Sequence, residues 1–216
     1  MPKLLAALTA AVLTVGGCAA NTPDYSTIGT RAPTTSSEAE EAPDDRPVPI
    51  AEYLASMGVT GQQVPLNKLT DLTVKLPRPA GWTTYANPNF SPGTEAIARD
   101  NSYPTAMVMV FALDGNFDVP AALEHADADA ELSKDFTRLN YSKDDFMGFP
   151  SSMIEGSYDL NGTRVHTYNR IVIPVTEAPD FRRYLIQFTV TGLADQAAAQ
   201  APEIQQVIDG FTVVVK

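Results

Sequence analysis

The chain has 216 residues, with 26 acidic against 15 basic side chains, a formal net charge of −11 with histidine neutral, and a single cysteine. Such an excess of carboxylates repels phosphate backbones and anionic lipid faces, which argues against nucleic acid as a partner. One cysteine rules out an intramolecular disulfide framework and leaves a lone thiol to be explained.

The N-terminal end has the parts of a secretory signal: Lys3, an apolar run from Leu4 to Val15, and the small residues Gly16 and Gly17. Twelve residues of helix rise about 18 Å, short of a hydrocarbon core of about 30 Å, so the run is predicted to be a signal peptide, residues 1–17, and not a spanning helix. Val15-Gly16-Gly17-Cys18 resembles the bacterial lipobox, departing only at Gly16, where a slightly larger residue is commoner. By that resemblance Cys18 carries an S-diacylglyceryl group and an N-acyl chain and holds the protein on the outer face of the plasma membrane. More than one acyl chain gives stable anchoring, which one chain does not.

Residues 18–49 are Thr, Ser, Pro, Ala and acid with almost no bulky apolar side chain. Such a stretch buries too little surface to offset the entropy of ordering, so it is predicted to be a disordered tether. About 30 residues of coil reach roughly 30 Å, enough to lift a domain off the headgroups. The cluster Thr34, Thr35, Ser36 and Ser37 suits O-glycosylation by composition. Asn140-Tyr141-Ser142 and Asn161-Gly162-Thr163 match the N-glycosylation pattern but, behind a bacterial-type lipobox, are read as coincidence.

Residues 50–216, with 20 acidic and 12 basic side chains, make one domain's worth of chain. Ile50 to Met57 suits a short helix stopped by Gly58. Leu72, Val74 and Leu76 alternate as in a strand, broken by Pro77, Pro79 and Gly81. The near-continuous apolar run Thr105 to Leu113 reads as a central strand covered on both faces. Its Met107 and Met109 fit either soft core filler or the lining of an adaptable apolar cavity. Asp118 can cap a helix running on through residues 119–136. Asp127, Asp129 and Glu131 lack the Gly turn and loop length of a calcium hand and are read as a solvated helix face.

Asn161-Gly162 is a favoured two-residue hairpin turn, which sets Leu160 opposite Thr163, Tyr158 opposite Val165 and Ile154 opposite Asn169. The alternate set, Asp159 with Arg164, Ser157 with His166 and Glu155 with Tyr168, is predicted to face water. Ser157, His166 and Asp159 thereby become neighbours, but "EGSYD" is not a nucleophile elbow and Asp159 is better placed to pair Arg164. No catalytic residue, metal site or cofactor motif is assigned. "RRYLIQFTVTG" reads as a strand with Tyr184, Ile186, Phe188 and Val190 on one side. Pro202 can open a helix ended by Gly210, and "FTVVV" is a last strand. The order implies an α+β fold, or an α/β/α sandwich, with a mostly antiparallel sheet flanked by helices.

"LPRPAGW" (Leu76 to Trp82), "AMVMVFALDGNFDVPAALEHADADAELSKDF" and "IDGFTVV", in that order, resemble the mycobacterial LpqN/LpqT lipoprotein family over most of residues 65–216. The resemblance implies a Mog1/PsbP-like α/β/α sandwich anchored outside an actinobacterial plasma membrane, with no catalytic residues to carry over. It also implies an association with envelope lipid traffic. The expected function is a non-enzymatic accessory protein that binds an envelope lipid, a transporter or a wall protein. A surface antigen in contact with a host is the alternative, with the loops Asn87-Pro88-Asn89 and Glu177-Ala178-Pro179 as its contact points. The oligomeric state is left open.

Replacing Cys18 by Ser is expected to move the protein from the membrane pellet to the soluble fraction of an actinobacterial host. Unchanged sedimentation with membranes would rule out the lipid anchor.

Overall fold

The hairpin predicted around Asn161-Gly162 supplies two neighbouring strands of a large antiparallel sheet. The computed structural model describes residues 46–216; the signal segment, Cys18, Thr34 to Ser37 and nearly all of the tether lie outside the described residues. In chain order the elements are α1 (Ile50–Ser56), β1 (Thr60–Gln63), β2 (Leu72–Lys75), β3 (Trp82–Thr84), β4 (Glu95–Arg99) and β5 (Ser102–Asp114). Then follow α2 (Val119–Leu123), α3 (Ala128–Glu131), β6 (Thr137–Ser142), β7 (Ser151–Leu160), β8 (Thr163–Val172), β9 (Arg183–Leu193), α4 (Ala197–Gly210) and β10 (Thr212–Val215). The eight-stranded sheet runs β3-β4-β5-β9-β8-β7-β6, with β1 continuing the β4 side of the long β5. β2 and β10 form a separate antiparallel pair. Among the described residues no helix is long and apolar enough to cross a membrane.

β7 and β8 pair in the register set by the turn, from Leu160 opposite Thr163 to Ser151 opposite Val172. Asn161 and Gly162 take φ of 50° and 80°, the left-handed pair that a tight hairpin turn demands.

Helices cover both faces of the sheet, as the α/β/α reading requires. On one face Val108, Val110, Ile186, Phe188 and Val190 pack against Ile204 and Val207 of α4 and against Leu72, Val74 and Val213 of the β2–β10 pair. Phe188 stacks on Phe211 at 4.2 Å between ring centres, and Phe211 stacks on Phe146 at 5.6 Å. On the other face Met109, Phe111, Leu185 and Ile173 meet Ile50 and Leu54 of α1 and Ala122 and Leu123 of α2. β5 is therefore the central strand that its apolar run predicts.

Three local expectations change. The helix expected over residues 119–136 is two short pieces, α2 and α3. Asp118 caps the first, accepting from the Ala121 N–H at 2.8 Å. The chain then turns so that Asp127 faces inward and accepts a hydrogen bond from Ser152 of β7 at 2.8 Å, so Asp127 is buried and not part of a solvated face. A tertiary hydrogen bond here outweighs helical continuity at residues of modest helix propensity. α4 starts at Ala197, ahead of Pro202, because Ala197 to Gln200 are good helix formers; the proline lies inside the helix, in its second turn, and forfeits one intrahelical N–H bond. On the far side of the hairpin, Tyr168 is buried edge-on against Phe188 at 6.0 Å instead of facing water. The layer of α4, β2 and β10 reaches that far along the sheet.

Phe188→Ala is expected to destabilise the fold by about 3–5 kcal/mol, the usual cost of truncating a fully buried aromatic ring. Urea unfolding followed by circular dichroism reads the difference directly.

Candidate functional site

α1 and α2 cover only part of their face of the sheet, and the uncovered part is the floor of a cavity of about 880 Å³. The floor is built by register. Residues directly opposite one another in a sheet point to the same side, so each cross-strand row is a strip of floor. One strip is Met109, Gln187, Ile171 and Ser152; the next is Met107, Thr189, Asn169 and Ile154; the outermost is Thr105, Thr191, Thr167 and Gly156. Under α1 the same face is purely apolar, with Phe111, Leu185 and Ile173. Polarity thus rises along the strands, from a dry core through a mixed strip to a threonine strip.

One wall is the segment Ala126 to Ser133, from the end of α2 through α3; the opposite wall is the β3–β4 loop with Tyr85, Asn87, Asn89, Phe90 and Ser91. Tyr85 and Phe90 meet edge to face at 5.8 Å, and the Asn87 carboxamide accepts the Asn89 N–H at 2.9 Å, so this loop is internally braced. Tyr103 and Tyr158 stand at the outer end. Gly156 closes the β7 side: a Cβ there would meet the Phe136 ring at 2.5 Å and the Thr137 carbonyl at 2.7 Å. A side chain at that point would push the β6 end away.

The floor's polar groups are mutually engaged. Thr189 donates to the Asn169 carbonyl oxygen at 2.8 Å, and the Asn169 amide donates to Thr167 at 3.3 Å. Burial raises the Tyr103 and Tyr158 hydroxyl pKa values, with smaller contributions from Tyr85 on Tyr103 and from Tyr103 on Tyr158, so both phenols stay protonated. Burial likewise lifts the Asp127 carboxyl above the ordinary carboxylate range, against the opposing Ser152 hydrogen bond and the Lys143 charge. Among the described residues no Lys, Arg or His lines the cavity, and the ionisable lining groups are Asp127, Asp129 and the tyrosines. Among the described residues, no group of three or more His, Cys, Asp or Glu side chains is arranged to hold a metal ion.

Met107 and Met109 both lie on the cavity floor; Met109 is buried in the core under α1 and α2, and Met107 packs against it while half-buried. The polar floor residues, the β3–β4 wall and Asp127 escaped sequence reasoning. The available signal was the run of Thr, Asn and Gln at inward positions of otherwise apolar strands, which marks a sheet face with no dry cover. Ser157, His166 and Asp159 are neighbours but form no relay. Arg164 donates to Ser157 at 2.8 Å and to Asp159 at 3.0 Å, while His166 Nε2 sits 3.0 Å from Glu155 Oε1.

The family described as "Probable lipoprotein LpqN" matches residues 46–214. Lipoprotein LpqT of Mycobacterium tuberculosis is 51% identical over 92% of this chain and 87% of its own length. LpqT of Mycobacterium leprae is 44% identical over 96% and 95% respectively. The crystal structure of LpqN, a protein involved in cell envelope biogenesis of Mycobacterium tuberculosis, superposes with a TM-score of 0.67 at 19% identity, covering 80% of this chain and 99% of that one. At that identity the likeness establishes a shared fold.

The hydrogen bond from Arg164 holds the Asp159 carboxyl below the usual carboxylate range. A depressed carboxyl pKa contributes stability that is present at neutral pH and is lost as pH falls through the folded-state value. Asp159→Asn is therefore expected to lower the melting temperature at neutral pH. The gap from wild type should close at low pH, as read by thermal scans across a pH series.

Proposed function

Since this chain belongs to the LpqN lipoprotein family, we propose that it is a lipid-anchored, non-enzymatic binding protein of the cell envelope whose sheet cavity holds an envelope lipid. The cavity is the observation that carries this reading. Its volume lies within the roughly 300–1,000 Å³ of ligand sites, and its mixed lining suits an amphipathic molecule. Met107, Met109, Ile154 and Ile171 offer a surface for an alkyl chain, and methionine adapts its shape to irregular apolar groups. Thr105, Thr167, Thr191 and Asn169 offer neutral hydroxyl and amide groups to a headgroup without charge. Among the described residues the lining holds no cation for an anionic headgroup to pair with.

The anchor proposed at Cys18 would keep the protein on the outer face of the plasma membrane, and a tether over residues 18–49 would let the domain meet a transporter or wall protein. LpqN's involvement in cell envelope biogenesis supports the same setting for this relative. The absence of an enzymatic role is supported by the local bonding of the hairpin, where Arg164 holds Ser157 and Glu155 holds His166.

Native mass spectrometry of the protein purified from an actinobacterial host is expected to show bound lipid at near-stoichiometric level. Met107→Trp, which fills the middle strip of the floor, should remove most of that lipid while leaving the circular dichroism spectrum unchanged. An apo mass for the unaltered protein would count against the lipid-binding reading and turn attention to protein partners.

A further inference from the structure

Asp127 has no task that local structure explains. It stands at the N-cap position of α3, yet its side chain makes no capping bond there. It is 9% exposed and lines the cavity. Its side chain instead accepts a hydrogen bond across the interior, from the Ser152 hydroxyl to Oδ1 at 2.8 Å, and Ser152, 1% exposed, lines the same cavity. Among the described residues no cation forms a salt bridge with it, and a carboxyl so placed out of water costs stability at neutral pH, which asparagine of the same shape would avoid.

The surrounding charges do not neutralise it. Lys143, the nearest cation from the β6–β7 connection, donates to the Leu123 carbonyl at 2.6 Å and lies 3.7 Å from Glu124. Arg138 of β6 is paired with Glu131 of α3. Asp129 of α3, half-buried, lines the cavity too and adds charge of the same sign. On Asp127's own segment His125 stacks on Tyr53 at 4.2 Å, its Nδ1 3.0 Å from the Val48 carbonyl.

Building on the lipid-binding reading above, we propose that Asp127, held by Ser152, is the charge-selecting residue of the cavity: its carboxylate excludes ligands bearing an anionic group and leaves the cavity to neutral amphiphiles. Like charges brought together in a partly dry site repel far more strongly than in water. Because burial raises its pKa, Asp127 takes up a proton before exposed carboxylates do as pH falls. The exclusion is thus strongest at neutral pH and relaxes in acid, where a neutral carboxyl can itself donate a hydrogen bond.

The test uses the full chain and two single-chain probes of equal length, 1-monodecanoylglycerol (neutral) and decane-1-sulfonate (anionic throughout), titrated calorimetrically below their aggregation concentrations. Wild type at about pH 7.5 is expected to prefer the neutral probe by about tenfold or more, and the preference should shrink at about pH 5. Asp127→Asn, which keeps an oxygen for Ser152, should bring the two affinities within about threefold at neutral pH. Asp144→Asn, which removes the same charge from an exposed site outside the cavity, should leave the preference intact. Should Asp127→Asn fail to fold, the wild-type pH series decides alone, because the sulfonate does not titrate in this range. An unchanged preference in folded Asp127→Asn, or one flat with pH in wild type, overturns charge selection while leaving lipid binding standing. No saturable binding of monodecanoylglycerol by wild type overturns both.

Discussion

Strand register across β5, β9, β8 and β7 is the constraint from which the rest of this protein follows. Side chains alternate with a period of two, so a slip of one residue would exchange every inward for every outward group. In the observed register the rows through Met109, Met107 and Thr105 run across four strands without interruption. The same pairing sends Val108, Val110, Ile186, Phe188 and Val190 to the opposite face. A slip would therefore bury the threonine rows against α4 and expose the aromatic core, a double penalty that keeps the register unique.

The two faces divide the work. The face under α4 and the β2–β10 pair is closed by ring stacking among Phe188, Phe211 and Phe146 and carries most of the core. With that side dry and well packed, the other side can remain partly uncovered. There α1 and α2 seal only the Phe111, Leu185 and Ile173 end, and the strands grade into polar rows that water or a ligand can satisfy. The break between α2 and α3 belongs to the same design, because it brings Asp127 down to Ser152 and forms the cavity wall. A continuous helix would have carried its carboxylates past the cavity without turning one inward.

Much of this was legible before any coordinates. Asn161-Gly162 dictates its turn and with it ten pairs of β7 and β8, because only residues tolerant of positive φ fit there. The apolar run of β5 announces a strand covered on both faces, and the alternation in β9 assigns Ile186 and Phe188 to one side. The order of short motifs carries the family resemblance, which the match over residues 46–214 bears out. Less legible were α2 and α3, since the signal for a broken helix is a hydrogen bond to a residue 25 positions away. Tyr168 misled for a related reason: its neighbours Glu155 and His166 are polar, while the layer that covers it comes from the C-terminal end of the chain.

The sequence by itself determined the long strands β5, β7, β8 and β9 and their alternation, the hairpin register, the α+β class and the negative charge, because each rests on contacts between near neighbours or on composition. The cavity was decided only by tertiary structure. Its floor joins residues from four strands, its walls come from the β3–β4 loop and the α2–α3 segment, and no local pattern states how far a helix will cover a sheet. Met107 and Met109 are compatible with either a core or a cavity when read along β5. What settles their surroundings is the end of α1 and α2 short of the threonine rows, a matter of packing between distant segments.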